Sequence, residues 1–165
     1  MKTIIATLLL LLTPHFCPAQ AVSPVRTVSS VELTRYTGLW HEIARYPNFF
    51  QEGCRDSTAT YTLTSDNEME VVNRCIKGTK QSEVKGRAWL VDPAEPARLK
   101  VTFFWPFRSD YWIIDLGENY EYAVVGTPDR KYLWILARQP KLSPELYAGI
   151  LRRVEQQGFD PARLR

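Results

Sequence analysis

The feature that most constrains the fold is a regular succession of short runs rich in β-branched and aromatic residues, between about residues 38 and 138. Turn-forming residues separate these runs about every ten residues, a spacing typical of an all-β sandwich or barrel. Eight runs joined by tight turns favour an antiparallel up-and-down barrel. The predicted strands are Leu39–Tyr46, Ser57–Leu63, Met69–Lys77, Glu83–Val91, Arg98–Phe104, Tyr111–Leu116, Glu121–Val125 and Tyr132–Ala137.

One amphipathic helix is predicted after the last strand, over about residues 143–157. Ser143 suits the N-cap, Pro144 suits the first helical position and Gly158 ends the helix. An apolar stripe runs along it through Leu146, Ile150, Leu151 and Val154. Packing against the barrel wall is the favoured use of this stripe, and docking on a membrane surface or a partner is the alternative.

The N-terminal residues are typical of a secretory signal peptide. Lys2 precedes the apolar run IIATLLLLL, and the small-residue tripeptide Ala19-Gln20-Ala21 follows. The run is far shorter than the roughly 20 residues that span a bilayer. We therefore predict a signal peptide over residues 1–21 and one exported domain over residues 22–165.

Cys17 offers an alternative to cleavage after Ala21, because a lipidated N-terminal cysteine would anchor a bacterial protein in the outer membrane. The residues before it, Phe16 and Pro14, suit lipoprotein processing poorly. Cleavage after Ala21 is therefore favoured, and the protein is predicted to be periplasmic or secreted.

The chain has 21 basic and 18 acidic residues, and removing the signal peptide takes away only Lys2 among them. This balance gives no indication of nucleic-acid binding. Cys54 and Cys75 remain in an oxidising compartment, so a disulfide is the default interpretation and two free thiols the alternative. A disulfide across their 21-residue separation would raise the free energy of unfolding by about 3 kcal/mol in the chain-entropy model.

The residues required for enzyme chemistry or a metal site are not visible in the sequence. Beyond the signal peptide the only histidine is His41, and no nucleophile motif, phosphate loop or zinc spacing occurs. His41 and Glu42 are adjacent on a predicted strand, so their side chains point to opposite faces and cannot act as an acid–base pair. We expect no catalytic residues, no metal and no cofactor.

A barrel of eight strands is either filled by side chains or hollow enough for one small ligand. Alternation along the strands directs large apolar side chains inward, which favours a pocket lining although the same residues would also fill a core. These residues are Tyr61, Val101, Phe103, Trp105 and Trp134.

The stretch from Gly38 to Ala44, GLWHEIA, resembles the first signature of the lipocalins, and two further stretches follow in the family's order. NYEYA, from Asn119 to Ala123, resembles the second signature, and LWILAR, from Leu133 to Arg138, resembles the third. Longer phrases such as EIARYPNFFQEG and PDRKYLWILAR are similar to the branch that contains the bacterial outer-membrane lipocalins and apolipoprotein D. The resemblance covers nearly all of residues 31–160.

The resemblance implies a carrier that holds fatty acids or lysophospholipids in an apolar calyx open at one end. Beside Gly38, Trp40 would plug the closed end with Arg138 across its indole face. Tyr61, Asn73 and Trp134 would line the pocket, Phe103 and Trp105 would stand close to its mouth, and Phe49 and Phe50 would gate entry. Asn73 or a nearby arginine would orient a polar head group.

Three departures from the family pattern qualify the resemblance. His41 replaces the usual aromatic residue, Cys54 and Cys75 are not at apolipoprotein D's disulfide positions, and the processing site around Cys17 is poor. The alternative to a lipid carrier is a filled barrel that acts as a protein-interaction module. Whether the protein is a monomer or a dimer is left open.

Overall fold

The computed structural model describes residues 23–165, so the predicted signal peptide, its cleavage site and Cys17 lie outside the described residues. Eight antiparallel strands close into a barrel in sequence order, with β1 also paired to β8, which confirms the predicted fold class. The strands are β1 Gly38–Arg45, β2 Cys54–Ser65, β3 Glu68–Lys77, β4 Lys80–Leu90, β5 Arg98–Phe104, β6 Phe107–Leu116, β7 Tyr122–Gly126 and β8 Leu133–Ala137.

Several strands are longer than predicted. β2 begins at Cys54, β4 at Lys80 and β6 at Phe107, each at least three residues earlier than expected. The added residues are mostly polar and exposed, so they carry no apolar alternation. Backbone pairing with the neighbouring strand extends these ends, and a sequence pattern does not show that pairing.

The up-and-down topology gives the barrel two distinct ends. We call one end the rim, formed by the connections β1–β2 (46–53), β3–β4 (78–79), β5–β6 (105–106) and β7–β8 (127–132). We call the other end the base, formed by the connections β2–β3 (66–67), β4–β5 (91–97) and β6–β7 (117–121) and by helix α1, Leu33–Tyr36. Helix α1 has no counterpart among the predicted elements, because a single helical turn has no measurable periodicity.

Apolar side chains of the strands form two cores, one on each face of the sheet. The inner core fills the base half of the barrel and includes Trp40, Met69, Leu99 and Ile113. The outer core lies between the wall made by β7 and β8 and the C-terminal helix. This division follows from the strand period of two, which directs alternate side chains to opposite faces.

Helix α2, Pro144–Gln156, covers the outer wall. The Ser143 hydroxyl accepts a hydrogen bond from the Leu146 amide at 3.2 Å, as the N-cap assignment predicts. Ile150 and Val154 of α2 are buried in the outer core, where strand residues such as Ile135 also lie. The apolar stripe is therefore used in packing against the barrel.

Cys54 and Cys75 form a disulfide with an S–S distance of 2.00 Å, which confirms the favoured interpretation over two free thiols. Their Cα atoms are 5.4 Å apart on the paired strands β2 and β3. Cys54 begins β2 at the rim, so the bond ties the β1–β2 connection to the adjacent strand.

Candidate functional site

The base of the barrel is sealed by Trp40, whose side chain is fully buried. Its indole nitrogen donates a hydrogen bond to the Tyr36 carbonyl at 2.8 Å, which fixes the ring against α1. The Arg138 guanidinium carbon lies 3.8 Å from the Trp40 ring centroid. The same guanidinium donates to the carbonyls of Leu39 at 3.0 Å and Arg35 at 2.7 Å, so it links β1, β8 and α1.

Gly38 has a positive φ of 94°, a backbone conformation that residues other than glycine rarely adopt. A Cβ built there would lie 3.3 Å from a terminal nitrogen of Arg138. Gly38 therefore allows both the chain path and the approach of the arginine to the base.

Three buried tyrosines lie inside the barrel above this seal. The Tyr111 hydroxyl is 2.8 Å from the Tyr36 hydroxyl and 2.7 Å from the Tyr61 hydroxyl. Burial raises the pKa of Tyr61 to about 12 and raises the pKa values of Tyr36 and Tyr111 well above their usual value. The phenols therefore stay neutral at physiological pH. We call this group the tyrosine triad.

The triad has one more hydroxyl donor than it has hydroxyl–hydroxyl contacts. Three phenols carry three hydrogens, and the two hydroxyl–hydroxyl contacts use two of them. Of the three tyrosines, only Tyr61 is predicted from the sequence to face the interior. Tyr36 precedes the barrel and Tyr111 begins the predicted sixth strand, so only the three-dimensional packing brings the three together.

His41 and Glu42 face opposite sides of the sheet, as the strand period predicts. His41 pairs with Ala137, which belongs to the outer core, whereas Glu42 pairs with Leu136, which belongs to the inner core. Residues paired across adjacent strands share a face. His41 is therefore on the outer wall, and Glu42 points into the barrel.

Glu42 belongs to a polar network under the β1–β2 connection. Its carboxylate accepts hydrogen bonds from the Arg45 guanidinium and from Gln51 Nε2, the latter at 2.7 Å. Gln51 Oε1 in turn accepts from Trp134 Nε1 at 2.9 Å and from Asn48 Nδ2 at 3.0 Å. We call these residues the rim network.

The rim network was missed at the sequence level because it depends on a β-bulge. The register of β1 against β8 shifts between Glu42 and Ala44, which puts Arg45 opposite Trp134. Without the bulge, strict alternation would place Glu42 and Arg45 on opposite faces.

Asn73 lies on the inner face of β3, since it pairs with Ala59 of the inner core. Its side chain is half-buried and makes no hydrogen bond within residues 23–165. The expectation of a nearby arginine beside it is not met by Arg74, the next residue along the chain. Arg74 faces outward and pairs with Glu83 at 2.8 Å.

Phe103 packs against the inner core and over Gly86 of β4. A Cβ at Gly86 would lie 2.6 Å from a ring carbon of Phe103, so only glycine leaves room for the ring. Trp105, which alternation predicts to face inward, does not do so. β5 ends at Phe104, and Trp105 lies in the turn with 76% of its surface exposed.

Phe49 and Phe50 lie in the β1–β2 connection at the rim and are 81% and 51% exposed. The Phe50 ring centroid is 5.7 Å from that of Tyr132 and 6.3 Å from that of Trp134. Tyr132 and Trp134 are themselves stacked at 5.8 Å. Phe50 thus covers the inward-facing Trp134 from above, whereas Phe49 projects into solvent.

Two clefts open at or near the rim. One of about 430 Å³ lies beneath the β1–β2 connection and is lined by Arg45, Pro47, Asn48, Phe49, Gln51, Glu52, Gly53 and Arg165. The other, of about 320 Å³, lies on the outer wall beside Trp105 and includes Lys85 and Arg87. The cleft beneath the connection adjoins the rim network, because Arg45, Asn48 and Gln51 belong to both.

A lipocalin-like domain model matches residues 31–165. The outer membrane lipoprotein Blc of Escherichia coli strain K12 is 38% identical over 143 residues, which cover 84% of this chain and 80% of the relative. Mouse apolipoprotein D is 32% identical over 156 residues, covering 87% of this chain and 77% of that one.

Among solved structures, insecticyanin from the tobacco hornworm superposes with a TM-score of 0.69 at 19% identity, covering 93% of this chain and 86% of that one. At this identity the likeness supports the fold and no more.

Proposed function

Because this chain belongs to the lipocalin family, whose members bind small hydrophobic ligands, we propose that it carries or stores a single-chain lipid, a fatty acid or a lysophospholipid. The lipid would occupy the rim half of the barrel, above the tyrosine triad. Binding and release would be an equilibrium with no covalent step, so the protein would act as a carrier and not as an enzyme.

The observation that carries this proposal is a gradient of exposure along the inner faces of the strands. On β6, Ile113 is fully buried, Tyr111 is 9% exposed and Ser109 is exposed. On β3, Met69 and Val71 are buried whereas Asn73 is half-buried. On these two strands the exposure of inward-facing side chains rises from the base as far as Ser109 on β6 and Asn73 on β3, while the disulfide-bonded Cys75 beyond Asn73 is buried. This rise supports a lumen open at the rim over a filled interaction barrel.

The side chains along this gradient suit a lipid with one polar end. Val101, Phe103 and Trp134 offer apolar surface that is only partly buried. Each methylene buried against such surface contributes about 0.8 kcal/mol. The Asn73 amide, which has no partner among the described residues, would bond the carboxylate or glycerol oxygens of the ligand.

Phe50 would act as a movable cover over this lumen. It packs on Tyr132 and Trp134, yet half of its surface remains in solvent. Entry of a chain past Trp134 requires the Phe50 ring to swing away, and the exposed ring has few contacts to break.

The test is a titration of a fatty acid and a lysophospholipid into the exported protein, with bound ligand measured by equilibrium dialysis. Trp134→Phe should weaken binding several-fold because it removes lining surface and the bond to Gln51. Trp89→Phe makes the same change at a half-buried position on the outer face, opposite Lys100, and should bind as the wild type does.

Two results would contradict the proposal. One is equal affinity of the Trp134→Phe and Trp89→Phe variants for both ligands. The other is the absence of both co-purifying lipid and lipid uptake, which would favour the filled interaction barrel.

We propose further that the protein works in the cell envelope, in the periplasm or secreted, or anchored to the outer membrane through Cys17. The named relative from Escherichia coli is an outer membrane lipoprotein, which supports export. No helix within residues 23–165 is long and apolar enough to cross a bilayer. Mass spectrometry of the mature N-terminus from the native host would show either a chain beginning at Val22 or an acylated Cys17.

A further inference from the structure

The large aromatic side chains that are exposed among the described residues all lie at the rim. They are Phe49, Phe50, Phe104, Trp105 and Phe107, with exposures of 81%, 51%, 69%, 76% and 77%. The last three occupy one hairpin tip, where Phe104 pairs with Phe107 across the turn. Phe104 ends β5, Trp105 lies in the turn and Phe107 begins β6. Lining the lumen does not explain the exposure of these three rings, because most of the surface of each is in solvent. We call the three the aromatic tip.

Charge divides between the two ends of the barrel in the same way. The rim connections, each taken with the two strand residues on either side, carry seven basic and two acidic residues. The base connections, taken by the same rule, carry one basic and seven acidic residues. The base remains net acidic when Glu32, Arg35 and Arg138, which flank it, are included in the count.

Much of the rim charge is available to a partner. Lys77, Lys80, Arg108 and Lys131 are exposed, and none is within ion-pair distance of a carboxylate in residues 23–165. At the base, by contrast, arginines such as Arg98 are paired with neighbouring glutamates. The nearly neutral chain is therefore strongly polarised along the barrel axis.

We propose that the rim is a docking surface for an anionic phospholipid bilayer, into which the aromatic tip inserts. Exposed Trp and Phe side chains favour the interface between head groups and acyl chains, and nearby Lys and Arg side chains are attracted to anionic head groups. In this orientation the acidic base points away from the membrane, and the open end of the barrel faces the lipids.

A second copy of the chain fits this surface less well. Two rims facing each other would bring like charges together, which opposes a symmetric rim-to-rim dimer. A bilayer supplies both the apolar layer for the rings and the opposite charge for the lysines. This inference is independent of whether the lumen holds a lipid, because it concerns only the outer surface of the rim.

The test is co-sedimentation with vesicles of phosphatidylcholine alone or with about one third phosphatidylglycerol. It uses protein exported with Cys17→Ser and shown by mass spectrometry to begin at Val22, so that neither an acyl chain nor the signal peptide contributes. Partitioning should rise at least tenfold with the anionic lipid and fall in high salt, since each basic residue near the surface adds roughly a factor of five. Replacing Phe104, Trp105 and Phe107 together by Ser should reduce partitioning more than tenfold.

Matched controls distinguish binding through the rim from nonspecific apolar adsorption and from an effect of net charge. Leu39→Ser with Val91→Ser removes exposed apolar side chains at the base and should leave partitioning unchanged. Lys77→Gln with Lys80→Gln should weaken partitioning roughly 25-fold, a factor of about five for each lysine, whereas Lys141→Gln with Arg152→Gln, an equal change in net charge away from the rim, should not.

The proposal is overturned if the aromatic-tip variant binds vesicles as the wild type does, or if anionic lipid makes no difference. It is also overturned if the wild type ignores vesicles but forms a dimer that the aromatic-tip substitutions dissociate. Vesicle binding and the titration with monomeric lipid are separate measurements, so either inference can fail without the other.

Discussion

The base and rim halves of the barrel differ in how completely their inward-facing side chains are buried and bonded. At the base, Trp40 and Met69 are fully buried, and Arg138 closes the end by bonding three backbone carbonyls. At the rim, inward-facing side chains such as Asn73 and Trp134 are half-buried, and aromatic rings project into solvent. The base half provides stability, and the rim half leaves surface unpartnered for ligands.

The largest expected difference between the halves is in the cost of removing an inward-facing tryptophan. Trp40→Ala should lower the free energy of unfolding by about 3–5 kcal/mol, because it empties a closed and fully buried site. Trp134→Ala should cost about 1–2 kcal/mol, because solvent already reaches its half-buried ring. Urea unfolding of both variants measures the difference, and equal costs would contradict the division into two halves.

The tyrosine triad should make the base sensitive to alkali. Tyrosine in an unfolded chain titrates near pH 10, and burial raises the pKa of Tyr61 to about 12. Because the pKa of Tyr61 is higher in the folded than in the unfolded chain, the neutral phenol contributes fully to stability below about pH 10. This contribution is lost as the pH rises toward 12, since the unfolded chain releases the proton first. For Tyr61 the loss reaches about 3 kcal/mol on this linkage argument.

The measurement is unfolding free energy between pH 7 and pH 12 in the wild type, in Tyr61→Phe and in Tyr132→Phe at the rim. Tyr61→Phe should flatten the alkaline decline, and Tyr132→Phe should follow the wild type. Parallel declines in all three proteins would show that the triad does not control the response.

Arg138→Ala should lower stability by about 1–2 kcal/mol, since it removes the contact with the Trp40 ring and three hydrogen bonds to carbonyls. Lipid affinity should be unchanged, because the arginine lies beneath the base and away from the lumen. Differential scanning calorimetry together with a ligand titration checks both parts. Unchanged melting would remove Arg138 from the sealing of the base.

The smallest effect on stability is expected for Asn73→Leu at the rim half. The substitution keeps the number and branching of the side-chain heavy atoms at a half-buried position and removes an amide without a partner among the described residues, so the unfolding free energy should change by less than about 0.5 kcal/mol. Fatty-acid affinity should fall by roughly three- to tenfold if the amide bonds the carboxylate. If the substitution weakened binding of the fatty acid and of its methyl ester by the same factor, Asn73 would act only through the shape of the site and not by bonding the carboxylate.

Prediction from the sequence was most successful at the base. The GLWHEIA and LWILAR stretches carry the signature residues, alternation is regular from Leu39 to Glu42, and the structure places Arg138 against both Gly38 and Trp40 as the resemblance implies. The strand period also placed His41 on the outer wall. Local rules suffice here because each side chain's face follows from its position in a regular strand.

The rim was less predictable for identifiable reasons. The bulge after Glu42 moves Arg45 to the face of Trp134, and bulges leave no reliable trace in one sequence. Trp105 follows the apolar alternation of β5, but the strand ends one residue before it. The tyrosine triad joins residues 50 and 75 positions apart, so only closure of the barrel brings their hydroxyls together.

A lumen that is sealed at the base should hold its lipid in the rim half. Photocross-linking with a fatty acid that carries a diazirine on its chain tests it most directly, with labelled residues identified by mass spectrometry. We expect labelling of inward-facing positions such as Asn73, Val101 and Trp134, with none at Trp89 on the outer face. Labelling confined to the outer wall, or equal at Trp89 and Trp134, would contradict it.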